Sequence, residues 1–167
     1  METSRLDQQC EVKALQEDGT FEGLAASYGN VDGQGDVIQP GAFKGVEGET
    51  IPLLFAHKTD QPIGTALVSE TPAGLFLKGK LLLDTVAGRE AYSRLKAGVL
   101  RSLSVGFKIP VGGFNLKAGI RHITSAVLKE VSLVLFPAND LALVTSVKAE
   151  PDTPQDHCRF NSLLDLL

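Results

Sequence analysis

Short runs of alternating apolar and polar residues, separated by glycine-rich turns, make up most of this chain. Alternation with a period of two is typical of half-buried β-strands, because successive side chains point to opposite faces of a sheet. The runs that predict strands are 10–15, 21–28, 51–56, 74–83, 102–109 and 126–136. Many short strands joined by glycine turns predict an antiparallel sheet system, either a sandwich or a closed barrel.

One segment, 84–98, departs from this pattern and predicts a helix. It begins with Asp84, a residue type that often caps the N-terminus of a helix, and it ends with Gly98, which is typical of a C-cap. A segment of this length makes about three to four helical turns. The stretch 41–45 suggests a second, short helical turn, and 58–64 has the composition of a loop turn.

Length and composition limit the domain organisation. A chain of 167 residues, of which 43% are hydrophobic and 22% charged, fits one globular domain with a real core. We expect this domain to cover 1–148. The remaining segment, 149–167, begins with an acidic, proline-rich linker and ends in an apolar stretch, which could be a docking helix or a removable peptide.

Charge and cysteine content argue against several classes of function. A net charge of -4 argues against nucleic acid as a partner, because phosphate binding needs a basic surface. The chain shows no signal peptide and no apolar run near the roughly 18 residues that a membrane helix needs, so we expect a cytosolic protein without a membrane partner. Cys10 and Cys158 are expected to be free thiols without a catalytic role.

Three polar side chains that could do chemistry lie within or at the end of apolar runs, namely His57, Ser104 and Glu130. A polar side chain buried in such a run costs free energy unless it finds a hydrogen-bonding partner. The simplest solution is that the three side chains partner one another. A linked base, nucleophile and acid of this kind is the machinery of acyl transfer.

The arrangement of side chains on the strand predicted over 102–109 is compatible with Ser104 as the nucleophile but does not exclude Ser102. Its apolar residues share one face, while Ser102, Ser104 and Gly106 share the other. Gly106 has no side chain, so a substrate backbone could approach closely beside Ser104. Ser102 is a rival nucleophile one pleat earlier, and the plainer interpretation is that both serines face solvent.

Glu130 and His57 also have alternative interpretations. Glu130 lies in a strand that is apolar on both faces, so we expect a partly buried carboxylate with a hydrogen-bonding neighbour rather than a surface pair with Lys129. A single histidine such as His57 is more often structural than catalytic. A metal hydrolase using His57, Glu130 and His122 lacks the usual ligand spacing, so we expect no metal and no cofactor.

Several motifs, taken in order, resemble a known family. They are GDVIQPGAF at 35–43, LFAH at 54–57 with PIG at 62–64, GL at 74–75, LSVGF at 103–107, and LKEVSLV at 128–134 with FPAN at 136–139. Their order and joint presence resemble the prohead (capsid maturation) serine proteases of tailed bacteriophages over about 11–147. That family is similar in fold to the herpesvirus capsid-maturation protease. The resemblance therefore implies an α+β domain with a mainly antiparallel β-barrel-like core and a few peripheral helices.

The resemblance also implies roles for the candidate residues. Ser104 corresponds to the nucleophile, His57 to its general base and Glu130 to the acid that orients the histidine. The herpesvirus protease has a second histidine in place of the acid. Its oxyanion-hole loop carries arginines that are missing from 137–139 of this chain.

The implied function is that of a serine endopeptidase, acting in the bacterial host cytoplasm inside the immature prohead. The implied substrates are the scaffolding segment of the major capsid protein, other prohead proteins and the chain itself. We expect the acidic, proline-rich segment that follows Lys148 to be accessible to self-cleavage. Because herpesvirus-type proteases can depend on dimerisation, the resemblance is compatible with a dimer. The alternative is a catalytically inactive, β-rich virion or scaffold module with the same fold.

Overall fold

The computed structural model describes residues 15–138, 141–142 and 144–146. Within these ranges the chain forms ten strands and one helix. They are β1 (Thr20–Ser27), β2 (Asp36–Ile38), β3 (Thr50–Phe55), β4 (Lys58–Thr71), β5 (Gly74–Leu81), α1 (Val86–Lys96), β6 (Ser102–Lys108), β7 (Phe114–Lys117), β8 (Ile120–Ile123), β9 (Val127–Val134) and β10 (Val144–Ser146). The strand predicted over 10–15, apart from Leu15, and the segment 149–167 lie outside the described residues.

Seven of these strands form one sheet in the order β10-β1-β5-β4-β3-β9-β6. Neighbours in this sheet are antiparallel except for β3 and β9, which are parallel. The two edges of the sheet meet, because Leu103 N–H donates to the carbonyl of Ala142 and Val144 N–H donates to that of Arg101, each at 2.9 Å. The sheet therefore curls into a barrel-like core, which confirms the predicted mainly antiparallel barrel.

One apolar core fills the inside of this sheet. Phe21, Leu53, Leu75, Leu103 and Leu133 come from five different strands and are almost completely buried. Successive side chains of a strand point to opposite faces, and the apolar positions that predicted these strands include the residues that fill the core.

A second sheet has three short strands in the order β2-β8-β7. Strand β8 pairs in parallel with β2 and antiparallel with β7. The register sets Asp36 opposite Arg121. None of these strands was predicted, because runs of three or four residues are too short for alternation to stand out.

Helix α1 confirms the helix predicted over 84–98. Its N-cap is Thr85 rather than Asp84, and the Thr85 hydroxyl accepts a hydrogen bond from Gly88 N–H at 3.0 Å. Gly98 follows the C-cap with a φ of 69°, as expected for a glycine just beyond a helix.

The second helical turn predicted over 41–45 forms successive turns instead of a helix. Gly41 and Gly45 have φ angles of 82° and 88°, which a right-handed helix does not allow. The described part of the chain thus has one peripheral helix where a few were expected. No helix within the described ranges is long and apolar enough to cross a membrane.

We expect Gly88→Ala to destabilise the protein, although alanine is favoured over glycine inside a helix by about 1 kcal/mol. A Cβ at Gly88 would lie 2.6 Å from the carbonyl carbon of Leu82, and backbone cannot move aside easily. The steric clash with Leu82 should outweigh the higher helix propensity of alanine. We expect the free energy of unfolding to fall by about 1–3 kcal/mol. Urea denaturation followed by circular dichroism measures it. Ser93→Ala, at an exposed position of the same helix, is the control, and a Gly88→Ala protein at least as stable as wild type would contradict the expectation.

Candidate active site

Strands β3 and β4 are joined by a two-residue turn made of Ala56 and His57. Their φ angles are 50° and 60°. Positive φ at both central residues is the type I′ arrangement, which suits the twist of a hairpin but costs free energy when neither residue is glycine. The turn predicted over 58–64 is wrong, because Phe55 and Lys58 face each other across the hairpin and β4 begins at once.

Two hydrogen bonds hold this turn against the neighbouring strand β9. Ala56 N–H donates to the carbonyl of Leu133 at 3.0 Å, and His57 N–H donates to the hydroxyl of Ser132 at 3.0 Å. Strands β3 and β9 are parallel neighbours in the barrel. The turn that carries His57 is therefore fixed beside the strand that carries Glu130.

The antiparallel register of β6 and β9 brings the other two candidates together. Ser104 lies opposite Ser132, and Gly106 lies opposite Glu130. Ser104 and Glu130 are thus diagonal neighbours on adjacent strands, close enough for side chains to interact through a third group. Ser104 is 7% exposed and the Glu130 side chain 13%, which confirms the expected partly buried carboxylate.

The structure brings His57, Ser104 and Glu130 together in one hydrogen-bonded chain. His57 Nε2 lies 3.0 Å from Ser104 Oγ, and His57 Nδ1 lies 2.6 Å from Glu130 Oε1. Because a carboxylate only accepts hydrogen bonds, the proton lies on Nδ1 and Nε2 accepts from the serine hydroxyl. The His57 side chain is 45% exposed, not buried as its apolar run suggested, because it stands on the turn beyond the strand end.

Gly106 makes room for the Glu130 side chain. A Cβ at Gly106 would lie 2.8 Å from Glu130 Cδ and would meet Oε1 even more closely. The Glu130 carboxylate thus requires that residue 106 has no side chain. The close approach of a substrate backbone beside Ser104 stays a prediction.

The alternative residues have other surroundings. Ser102 lies opposite Val134 and is buried, as is Ser104, so the interpretation that both serines face solvent is wrong. His122 belongs to the three-stranded sheet, where its Nδ1 lies 3.1 Å from Gln39 Nε2. In the described part of the chain, no three His, Cys, Asp or Glu side chains are grouped so that they could hold a metal.

A cleft of about 850 Å³ opens beside Ser104 and His57. Its walls come from β1, from the turn before β2, from β6 and from the loop after β9. These parts contribute residues 25–26, 32–34, 104–107 and 136–138. The serine hydroxyl and the imidazole can therefore be reached by a polypeptide from outside.

An ion pair stands in the wall of the cleft. Arg121 Nε donates to Asp36 Oδ1 at 2.7 Å, and Arg121 Nη2 donates to Oδ2. Asp36 is buried while Arg121 is half-exposed, and the hydrogen bond from the guanidinium to Asp36 raises the pKa of Arg121. Neither residue stands out in the sequence as part of a site, because their pairing depends on the register of β2 and β8.

The order serine, histidine, carboxylate in one hydrogen-bonded chain is the arrangement of serine hydrolases, which recurs on unrelated folds. The sequence model of the caudovirus prohead serine protease family matches residues 8–155. This chain belongs to that family, which confirms the resemblance inferred from the motifs.

Two relatives illustrate the match. The prohead protease of Enterobacteria phage HK97 is 30% identical over 137 residues, covering 78% of this chain and 61% of the HK97 protein. The capsid polyprotein of Pseudomonas phage PAJU2 is 32% identical over 163 residues, covering 89% of this chain and 23% of the polyprotein. The chain thus spans less than two thirds of the length of either relative.

Among solved structures, similar chains include the Kaposi's sarcoma-associated herpesvirus protease. Its complex with a hexapeptide phosphonate inhibitor has 15% sequence identity and a TM-score of 0.48, covering 74% of this chain and 62% of that one. Its complex with a dimer disruptor has 18% identity and a TM-score of 0.47, covering 78% and 77%. These distant likenesses assign no role to any residue of this chain.

Proposed function

We propose that this chain is a serine endopeptidase domain that cleaves capsid-assembly proteins during phage prohead maturation, with Ser104, His57 and Glu130 as its catalytic residues. The observation that carries the proposal is the hydrogen-bonded chain from Ser104 Oγ through the His57 ring to Glu130, at the edge of an open cleft. Family membership supports the same reaction class.

The geometry suits an acyl-enzyme mechanism. Ser104 Oγ attacks the carbonyl carbon of the scissile peptide bond while His57 Nε2 accepts the hydroxyl proton. The intermediate collapses as His57 gives that proton to the leaving amine, and water then attacks the acyl-enzyme with His57 again as base. Glu130 holds the proton on Nδ1 and stabilises the imidazolium without becoming protonated itself.

The strand that carries Ser104 offers an open edge for an extended substrate. Leu103 directs its backbone N–H toward Ala142, on the side of β6 that faces away from β9. Val105 lies two residues further along β6, so its backbone N–H and C=O point to the same side as those of Leu103. Val105 also lines the cleft. In the described ranges no strand pairs with Val105 on this side. An extended peptide that adds a strand here brings its carbonyl beside Ser104.

The substrate class rests on the relatives. The PAJU2 relative is named a capsid polyprotein, and the part similar to this chain makes up 23% of it. A protease domain that forms part of a capsid polyprotein would lie beside capsid proteins where they assemble. We therefore propose the scaffolding segment of the major capsid protein, other prohead proteins and the chain itself as substrates, and the immature prohead in the host cytoplasm as the place of action.

Covalent labelling with a fluorophosphonate probe tests the nucleophile. Trypsin cuts after Arg101 and Lys108, so the label is expected on the peptide 102–108, and its fragment masses distinguish Ser104 from Ser102. His57→Ala is expected to slow labelling by about 10²- to 10⁴-fold, because the general base is lost. Ser102→Ala is the control and should label as wild type does. A label on Ser102, or no label on the folded wild-type chain, would contradict the proposal, and the second outcome would favour an inactive module.

A further inference from the structure

Ser132 lies at the centre of the hydrogen bonds that join His57 to Glu130. It is completely buried on β9, two residues after Glu130 and on the same face of the strand. Its Oγ accepts from His57 N–H at 3.0 Å and donates to Glu130 Oε2 at 2.6 Å. Together with the bond between His57 Nδ1 and Glu130 Oε1, these contacts form a closed ring of hydrogen bonds.

We propose that Ser132 is a positioning residue of the active site, whose hydroxyl fixes the Glu130 carboxylate and the His57 turn relative to each other. The inference rests on the proposed function, because it concerns how the same three side chains are aligned. Ser132 acts through Glu130 and His57, and it takes no part in bond making or breaking.

The carboxylate needs such a partner because a glutamate side chain is not fixed by its backbone. Its last torsion angle has a broad energy profile, so Oε1 can turn away from the imidazole at little cost. Within the described ranges no Lys or Arg forms an ion pair with Glu130. The Ser132 hydroxyl therefore supplies the contact that holds Oε2 and, through it, aims Oε1 at His57 Nδ1.

The histidine needs an anchor because its backbone has a left-handed conformation, with φ of 60°. This conformation is unfavourable for a residue with a side chain and persists only when neighbouring contacts impose it. One anchor is the bond from Ala56 N–H to the backbone of Leu133, which no side-chain substitution removes. The bond from His57 N–H to Ser132 is the part of the anchor that a side chain supplies.

Ser132→Ala is expected to lower kcat for a peptide substrate by about 10- to 100-fold, with KM changed less than about two-fold, because loosened catalytic groups affect mainly the chemical step. Ser102→Ala is the matched control, since it removes another buried serine hydroxyl from the neighbouring strand, and it should keep its kcat. Ser132→Thr retains the hydroxyl and is expected to recover part of the lost kcat.

A second readout does not depend on cleavage. The proton on His57 Nδ1, held in a 2.6 Å bond to a carboxylate, should give a downfield, slowly exchanging NMR resonance in wild type and in Ser102→Ala. In Ser132→Ala this resonance should broaden or vanish through exchange with water. A wild-type chain that neither cleaves nor labels would refute the proposed function, while the resonance would still decide the role of Ser132.

The inference is overturned if Ser132→Ala folds, keeps the resonance and has a kcat within about three-fold of the Ser102→Ala control. If Ser132→Ala is unfolded at the assay temperature, Ser132→Cys replaces it, because cysteine is close to serine in size but is a weak hydrogen-bonding group. Loss of kcat and of the resonance in that variant supports the inference, and retention of both overturns it.

Discussion

Ser104→Ala is expected to abolish cleavage, with kcat reduced by about 10⁶-fold, because the reaction loses its nucleophile. The substitution removes one hydroxyl from a buried strand residue, so the barrel should stay folded. Intact-mass spectrometry of the purified chain checks the result. Wild type is expected to lose part of the segment 149–167 by self-cleavage, whereas Ser104→Ala should keep its full-length mass.

Ser102→Ala is the control for this experiment, since it makes the same chemical change two residues away on the same face of β6. Ser102 lies opposite Val134 and so outside the ring of polar side chains around Ser132. We expect its mass profile to match that of wild type. The same truncation in wild type and in Ser104→Ala would assign the cut to another protease, and would refute self-processing by Ser104.

The elements that carry Ser104 and Glu130 could be predicted because their strands are long enough for their patterns to stand out. The alternation in 102–109 and the apolar run in 126–136 correspond to β6 and β9. Burial of a carboxylate in such a run demands a partner, and the structure supplies His57 and Ser132. Local sequence therefore predicts both strands and the need for a partner at Glu130, whereas the choice of Ser104 over Ser102 depends on the resemblance to the family.

The turn at His57 could not be predicted, because its conformation is imposed from outside. Ala56 and His57 are not among the residue types that dominate turns, whereas Asp60 and Pro62 are, so local propensity places the turn too late in the chain. The bond to Ser132 joins positions far apart in sequence, and local propensity contains no information on it. The pairing of Asp36 with Arg121 was missed for the same reason.

Gly106 has a neighbour that the sequence does not reveal. A glycine beside a candidate nucleophile suggested space for substrate, and only the register of β6 with β9 shows that Glu130 lies across from it. An alanine at 106 would thus compete with the Glu130 carboxylate for the same space.

Gly106→Ala is expected to lower kcat/KM by about 10³- to 10⁴-fold, although it leaves Ser104, His57 and Glu130 chemically unchanged. The new Cβ would take the space of the Glu130 carboxylate, which must then turn away from His57 Nδ1. An imidazole without its orienting carboxylate loses the correct tautomer, an effect worth about 10⁴ in kcat. Steady-state kinetics on a peptide substrate measure the change, and thermal melting confirms that the variant folds.

A double-mutant cycle separates this explanation from a direct clash with substrate. Glu130→Ala alone is expected to lose about as much activity as Gly106→Ala, since both remove the carboxylate from His57. In the protein that carries both substitutions the losses should not add, because Gly106→Ala has nothing left to displace. Additive losses would show that the methyl group acts on the bound substrate, and would support the interpretation that a substrate backbone passes close to Gly106. The cycle therefore tests whether Gly106 serves the acid or the substrate.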